Sequence, residues 1–239
     1  MPRNKIIKYT PGEKPVFFRE DSNGASGNAF DERGRLYTCE SAVRRVTRTG
    51  KTGKIEILAE KWEGKRFNAP NDIVVRRDGH AWFTDPAFGS QLDARELDFF
   101  GVFHISPKGE LAAAAKWKGR PNGIALASNG HILYVANSDD RTIVAYDADR
   151  NGALTNERVL IRGVDGVPGG LKVDEKGNVY VACNGVGVYT PQGKLLKQIE
   201  LSEPAANLSF GDPDLKTLYI TARTSVYRIR LDVKGSLQY

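Results

Sequence analysis

Cysteine is scarce in this chain. Cys39 and Cys183 are the only two, in no metal-like spacing and too few for a disulfide framework. Long apolar runs are missing as well, and none approaches the length needed to span a bilayer. The start, MPRNKIIKYT, is basic but leads into no apolar segment of the signal-peptide kind. A cytoplasmic, reducing setting without membrane association is the expectation, unless a truncated start has lost a signal peptide. Histidine is limited to His80, His104 and His131. None has an acid or nucleophile arranged around it, and no GxSxG elbow exists, which argues against serine-hydrolase chemistry. Long helical periodicity is also lacking; ARELDFFGVF is the one place where a short helix or turn would intervene.

What is present is ordinary globular material, 40% hydrophobic and 27% charged over 239 residues, which fits one domain spanning 1–239. The net charge of +6 raises the question of nucleic acid. The basic residues are dispersed, however, and the one cluster, RRVTRTGKTGK at 44–54, reads as a polar β-hairpin that keeps a sheet edge soluble. No aromatic interleaving accompanies it, so nucleic acid is not an expected partner.

Repeats carry the fold. A polar-Gly turn followed by an apolar-aromatic step recurs as ERGRLYTCE, RDGHAWFTD, SNGHILYVAN, EKGNVYVAC and LKTLYITA. Its aromatics are Tyr37, Trp82, Tyr134, Tyr180 and Tyr219, spaced by 45, 52, 46 and 39 residues. Short strands at such a period indicate propeller blades. Each step leads into a second hairpin, the last being VYRIRLDVKGSLQY, so a repeat holds four strands, the content of one blade. The segment KIIKYTPGEKPVFF is a sixth outer hairpin with no inner hairpin before it. The expectation is an all-β, six-bladed β-propeller with the first blade incomplete, as if truncated at its start.

The ordered segments FNAPNDIVVRRDGHAWFTDPAFG, RPNGIALASNGHILYVANS and GLKVDEKGNVYVA resemble the SMP-30/gluconolactonase/LRE family, and SGNAFDERGRLYTCE and AANLSFGDPDLKTLYITA extend the likeness over nearly the whole chain. The resemblance implies a six-bladed propeller with a divalent metal, calcium or zinc, at the top of the channel. It also implies hydrolysis of sugar-acid lactones or related cyclic esters, the metal polarising the carbonyl and a carboxylate acting as general base. By that resemblance Asn122 is a metal ligand and Asn71 faces the metal or the substrate. The family's metal-binding Asp falls on Gly169, in VPGG, and its first Glu belongs to the absent inner hairpin. Two of three expected ligands are missing, no catalytic residue can be named, and the site is expected to be impaired.

Hairpin geometry places the start of one strand and the end of the next on one face. That pairs Asn71 with Asp85 and Asn122 with Asn137, and Glu40 occupies the repeat position of Asp85. Closure of the ring would gather these at one mouth. Asp85 and Arg66 join Asn71 as candidate substrate-binding residues, and Asn71 and Asn122 are the candidate metal ligands. Asp165, in RGVDGVPGG, is a candidate substitute for the missing carboxylate. Each has a bland reading beside it: the Asn residues as turn caps, Asp85 and Asp165 as turn residues, Glu40 and Arg66 as solvated charges, and the cysteines as small buried side chains. Two functions follow, a metal-dependent lactonase with an impaired site, or a propeller that has lost catalysis and serves as a binding or structural module.

Overall fold

A computed structural model describes residues 4–237. Five antiparallel sheets are arranged as propeller blades, preceded by a two-stranded hairpin, β1 (Ile6–Lys8) and β2 (Val16–Arg19). Blade 1 is β3 (Ala25–Phe30), β4 (Leu36–Glu40), β5 (Arg45–Thr49) and β6 (Ile55–Ala59). A small hairpin, β7 (Lys61–Trp62) with β8 (Lys65–Arg66), leads into blade 2, formed by β9 (Ile73–Val75), β10 (Ala81–Asp85), β11 (Phe100–Ile105) and β12 (Leu111–Trp117). Blade 3 is β13 (Pro121–Leu126), β14 (Ile132–Asn137), β15 (Thr142–Ala148) and β16 (Leu154–Ile161); blade 4 is β17 (Leu171–Val173), β18 (Val179–Cys183), β19 (Gly185–Tyr189) and β20 (Leu195–Ile199). Blade 5 has three strands, β21 (Ala205–Gly211), β22 (Thr217–Ala222) and β23 (Val226–Arg230).

All five repeat aromatics lie on the second strand of their blades, so the spacing marks the ring. The turn before each is local chemistry. In blade 4 the Asp174 carboxylate accepts from the Lys176 and Asn178 amides at 2.9 Å, and Gly177 takes φ +81°, a region open to glycine. The middle strands β10, β18 and β19 are buried along their length, whereas β6 and β20 are largely exposed. Blades are joined by apolar layers such as Val74, Trp82 and Val102 of blade 2 against Leu126, Leu133 and Val135 of blade 3.

The β1–β2 hairpin sits in the gap between blades 5 and 1. Tyr9 packs edge-on to Tyr219 of blade 5, and Arg19 reaches Glu40 of blade 1 at 2.5 Å. It stands as the outer pair of the incomplete blade. Phe17, Phe18, Phe30 and Val226 are exposed, and among the described residues no inner hairpin covers this seam. One local expectation is corrected. The last outer hairpin is a single strand, β23, after which the chain crosses inward: Gly235 bridges Asp174 and the Ser236 amide donates to Val173 O at 2.8 Å. In ARELDFFGVF the chain turns and bends over 94–99 before the strand Phe100–Ile105 begins, and one 3-10 turn lies just ahead at Gly89–Gln91.

Candidate functional site

The inner strands begin at one rim of the channel, and neighbouring blades touch there through backbone amides and carbonyls and one threonine hydroxyl. The Gly27 amide donates to Asn71 O at 2.6 Å, the Thr84 hydroxyl to Asn122 O at 2.6 Å, and the Gly170 amide to Ala206 O at 2.9 Å. A Cβ on Gly123 would stand 2.1 Å from Gly169 O. Glycine at these positions permits the approach. Asn71 and Asn122 therefore occupy equivalent positions on adjacent blades. The Asn71 side chain has no hydrogen-bond partner among the described residues, and it lines a cavity of about 500 Å³ between blades 1 and 2. Asn122 donates through Nδ2 to Ser138 Oγ at 3.1 Å, which leaves its Oδ1 as an acceptor.

The carboxylates expected beside them are otherwise engaged. Asp85 is fully buried and accepts from the Asn68 and Ala69 amides at 2.7 and 2.8 Å. Burial pushes its carboxyl up to about 7 against those two donors. It fastens the loop ahead of Asn71 and is sealed from any ligand. Glu40 is fully buried too, held by Arg19, Arg45, Thr47 and Asn23. Burial alone would raise its carboxyl, yet the hydrogen bonds from Arg19 and Arg45 bring it below the ordinary range. Asn137 binds Asp140 and the amides of Asp139 and Asp140, an Asx turn. Asp165 accepts from Asn184 at 3.1 Å on the exposed rim. Arg66 is exposed on β8, its amide on Glu96 and its guanidinium on Val43 O.

Sequence reasoning missed Asp72. It is buried one step below Asn71, with Oδ1 accepting from its own neighbour Ile73 at 3.0 Å and Oδ2 from Ile124 of blade 3 at 3.3 Å. Burial raises its carboxyl, opposed first by the Lys172 charge, then by these amides and by Asn207. Asp72 thus ties blades 2, 3 and 5 across the channel. The signal was in the repeat itself, since the same position holds Gly123 and Gly170 in the next two copies.

His80 and His104 lie away from the rim. His80 Nδ1 is 2.7 Å from His104 Nε2 at the opposite end of blade 2, and both rings are buried. Burial lowers both, His104 to about 4. His131 is exposed. Cys39 and Cys183 are free and buried, and burial raises both thiols, which makes them inert packing.

A divalent cation at the rim would need hard, charged donors. Calcium takes six to eight oxygens, carboxylates among them, and zinc prefers imidazole, thiolate or carboxylate. Asn71 and Asn122 are neutral amides, and no group of three or more His, Cys, Asp or Glu side chains that could hold a metal occurs among the described residues. At position 169 a Cβ would lie 2.4 Å from Ala206 O, so the space for a ligand there is filled by backbone. The residues present do not fit a resident metal.

The sequence profile of the SMP-30/Gluconolactonase/LRE-like region matches residues 1–224. A gluconolactonase of Zymomonas mobilis is 32% identical over 266 aligned positions, covering 98% of this chain and 74% of that protein. The lactonohydrolase oryL of Aspergillus oryzae is 26% identical, covering 77% of this chain and 49% of its own length. Among solved structures, a gluconolactonase from Xanthomonas campestris superposes with a TM-score of 0.86 at 30% identity, covering 95% of this chain and 78% of the other. These relatives support a lactone-hydrolase function and a small-molecule lactone partner. No helix among the described residues is long and apolar enough to cross a membrane.

Proposed function

The chain belongs to the SMP-30/gluconolactonase/LRE-like family, and from that premise we propose that it hydrolyses small cyclic esters, sugar-acid lactones foremost, at an impaired site on the channel rim. The observation that carries this reading is the Asn71 side chain, an amide at the rim with no internal partner. In hydrolysis, water adds to the lactone carbonyl, the ring C–O bond breaks, and the ring oxygen leaves as a hydroxyl after taking a proton. Asn71 Nδ2 donates to the carbonyl oxygen as negative charge develops on it. Asn122 Oδ1, free because Nδ2 is held by Ser138, accepts from the attacking water or a substrate hydroxyl.

A bound calcium or zinc ion would polarise the carbonyl, but the donor set does not fit one and no step passes through it. Neither Asp72 nor Asp85 is available as a base, since both have their oxygens on backbone amides. A general base contributes about 10²- to 10⁴-fold, and the rate should fall short of a complete site by that order. The test is glucono-δ-lactone opening above the spontaneous rate, measured with chelator and with added calcium or zinc. A rate above background that Asn71→Ala abolishes supports the reading; no rate under any condition removes it. The filled space at Gly169 favours a second reading, a propeller that binds its ligand without turning it over, and that outcome would leave binding intact with no rate.

A further inference from the structure

Below the rim the channel is open. The inner strands of all five blades line a cavity of about 250 Å³, and Ser236 and Leu237 line it as well. It shares no lining residue with the cavity beside Asn71. Asn28, Phe30 and Ser209 stand on the strands that flank the gap between blades 5 and 1, and all three are exposed. Solvent therefore reaches the cavity from that side.

The repeat sets its walls. In blade order, the residues opposite the second-strand aromatics are Ala29, Val74, Ala125, Lys172 and Ser209, and all five line the cavity. Four of these side chains are short, which leaves the space open. The blade 4 copy is a lysine, the only charged residue among the described residues that line the cavity. Its ammonium has three donors. One goes to Leu171 O at 2.9 Å, and no carboxylate pairs with it among the described residues. Asp72 feels its charge, but the Asp72 oxygens accept from the Ile73 and Ile124 amides. An ammonium held against apolar walls gains from an anion that fills its free donors.

We propose that the channel cavity is a second ligand site, for a monocarboxylate with a short apolar chain, its carboxylate on Lys172 and its chain against Ala29, Val74 and Ala125. The single cation matches a single negative charge. An apolar cavity of about 150 Å³ takes a benzene ring, so this one has room for a chain of about six carbons. Asn28 has both side-chain polar atoms engaged, with Ser26 O and Thr38, and the hydroxyls on offer are those of Ser209 and Ser236. A polyhydroxylated acid would leave most of its own hydroxyls unpaired there. The site does not depend on whether the chain hydrolyses lactones.

Calorimetric titration of the chain with hexanoate, hexylammonium and gluconate tests the proposal. Hexanoate should bind, and hexylammonium and gluconate should each bind at least about tenfold more weakly. Lys172→Met, which removes the charge and keeps an unbranched side chain, should weaken hexanoate at least about tenfold, and Lys172→Arg should retain it. Asn71→Ala should leave hexanoate affinity unchanged. No hexanoate binding by the wild type overturns the proposal, whatever the lactone assay shows. Equal affinity for hexanoate and hexylammonium, or for hexanoate and gluconate, overturns it, as does hexanoate affinity that survives Lys172→Met or falls in Asn71→Ala. Where melting shows that Lys172→Met does not fold, the wild type's preference for hexanoate over hexylammonium reads the same charge. Hexanoate binding that depends on Lys172, in a chain with no lactone turnover, upholds the site and removes only the hydrolase reading.

Discussion

Gly169→Asp restores the carboxylate that the family resemblance places at this position, and a reading from sequence alone expects metal affinity to rise. The geometry predicts the opposite. A Cβ at 169 would lie 2.4 Å from Ala206 O and 3.7 Å from Ala182 Cβ. The first contact is against backbone, so no side-chain rotation relieves it. The blade 4 and blade 5 inner strands must separate, which strains the Gly170 N to Ala206 O bond of 2.9 Å and the Gly169 N to Ala182 O bond of 2.8 Å. Overpacking costs about 1–3 kcal/mol, and each weakened hydrogen bond adds about 1 kcal/mol. A loss of about 2–5 kcal/mol corresponds to a melting temperature lower by roughly 4–20 °C for a chain of this size. Differential scanning fluorimetry with and without calcium measures it. A variant as stable as the wild type, or one that calcium stabilises by several degrees, would refute the claim that backbone fills this position.

Glu40→Ala leaves Arg19 and Arg45 without their shared buried carboxylate and should cost about 3–5 kcal/mol; because Arg19 anchors β2, limited proteolysis should cut first within 9–15. Two buried groups titrate with opposite signs. His104, lowered to about 4, contributes stability that is present above about pH 6.5 and lost as pH falls through 4, whereas Asp85, raised to about 7, contributes stability that is present below about pH 4 and lost as pH rises through 7. The wild type should therefore show a shallow dependence of urea midpoint on pH between 4.5 and 7. His104→Gln should lose stability as pH rises across that window and Asp85→Asn should gain it, each by about 2 kcal/mol relative to the wild type; parallel profiles in all three would contradict the burial argument. Asn71→Ala breaks no internal hydrogen bond and should change stability by no more than about 0.5 kcal/mol while removing lactone turnover, read by chemical denaturation beside the kinetic assay.

The blade count was legible because its signal is local. A polar-Gly turn, a two-residue alternation and an aromatic on the second strand are set within about 15 residues of chain, and Tyr37, Trp82, Tyr134, Tyr180 and Tyr219 all fall on second strands. The same locality explains the misreading at the end. LDVKGSLQY carries the turn pattern of an outer hairpin, but Gly235 and Ser236 find partners at Asp174 and Val173, some 60 residues earlier, and no local pattern records that choice.

The site was less legible for a related physical reason. Hairpin periodicity places Asn71 and Asn122 at equivalent positions on adjacent blades, because backbone register determines it. Periodicity does not say what folds over a rim residue. Glu40 and Asp85 share a repeat position, yet both are sealed, one by Arg19 from 21 residues away and the other by the amides of Asn68 and Ala69. A buried carboxylate without such donors would be far costlier than a solvated one, so the residues that close over it are part of why it survives there. The glycine pair at 169–170 follows the same logic. Read as a sequence it is a missing ligand; in the ring it is the contact through which blades 4 and 5 meet, with Gly170 donating to Ala206. A side chain at 169 and that contact exclude one another, so any rescue of metal binding at this position must first move blade 5.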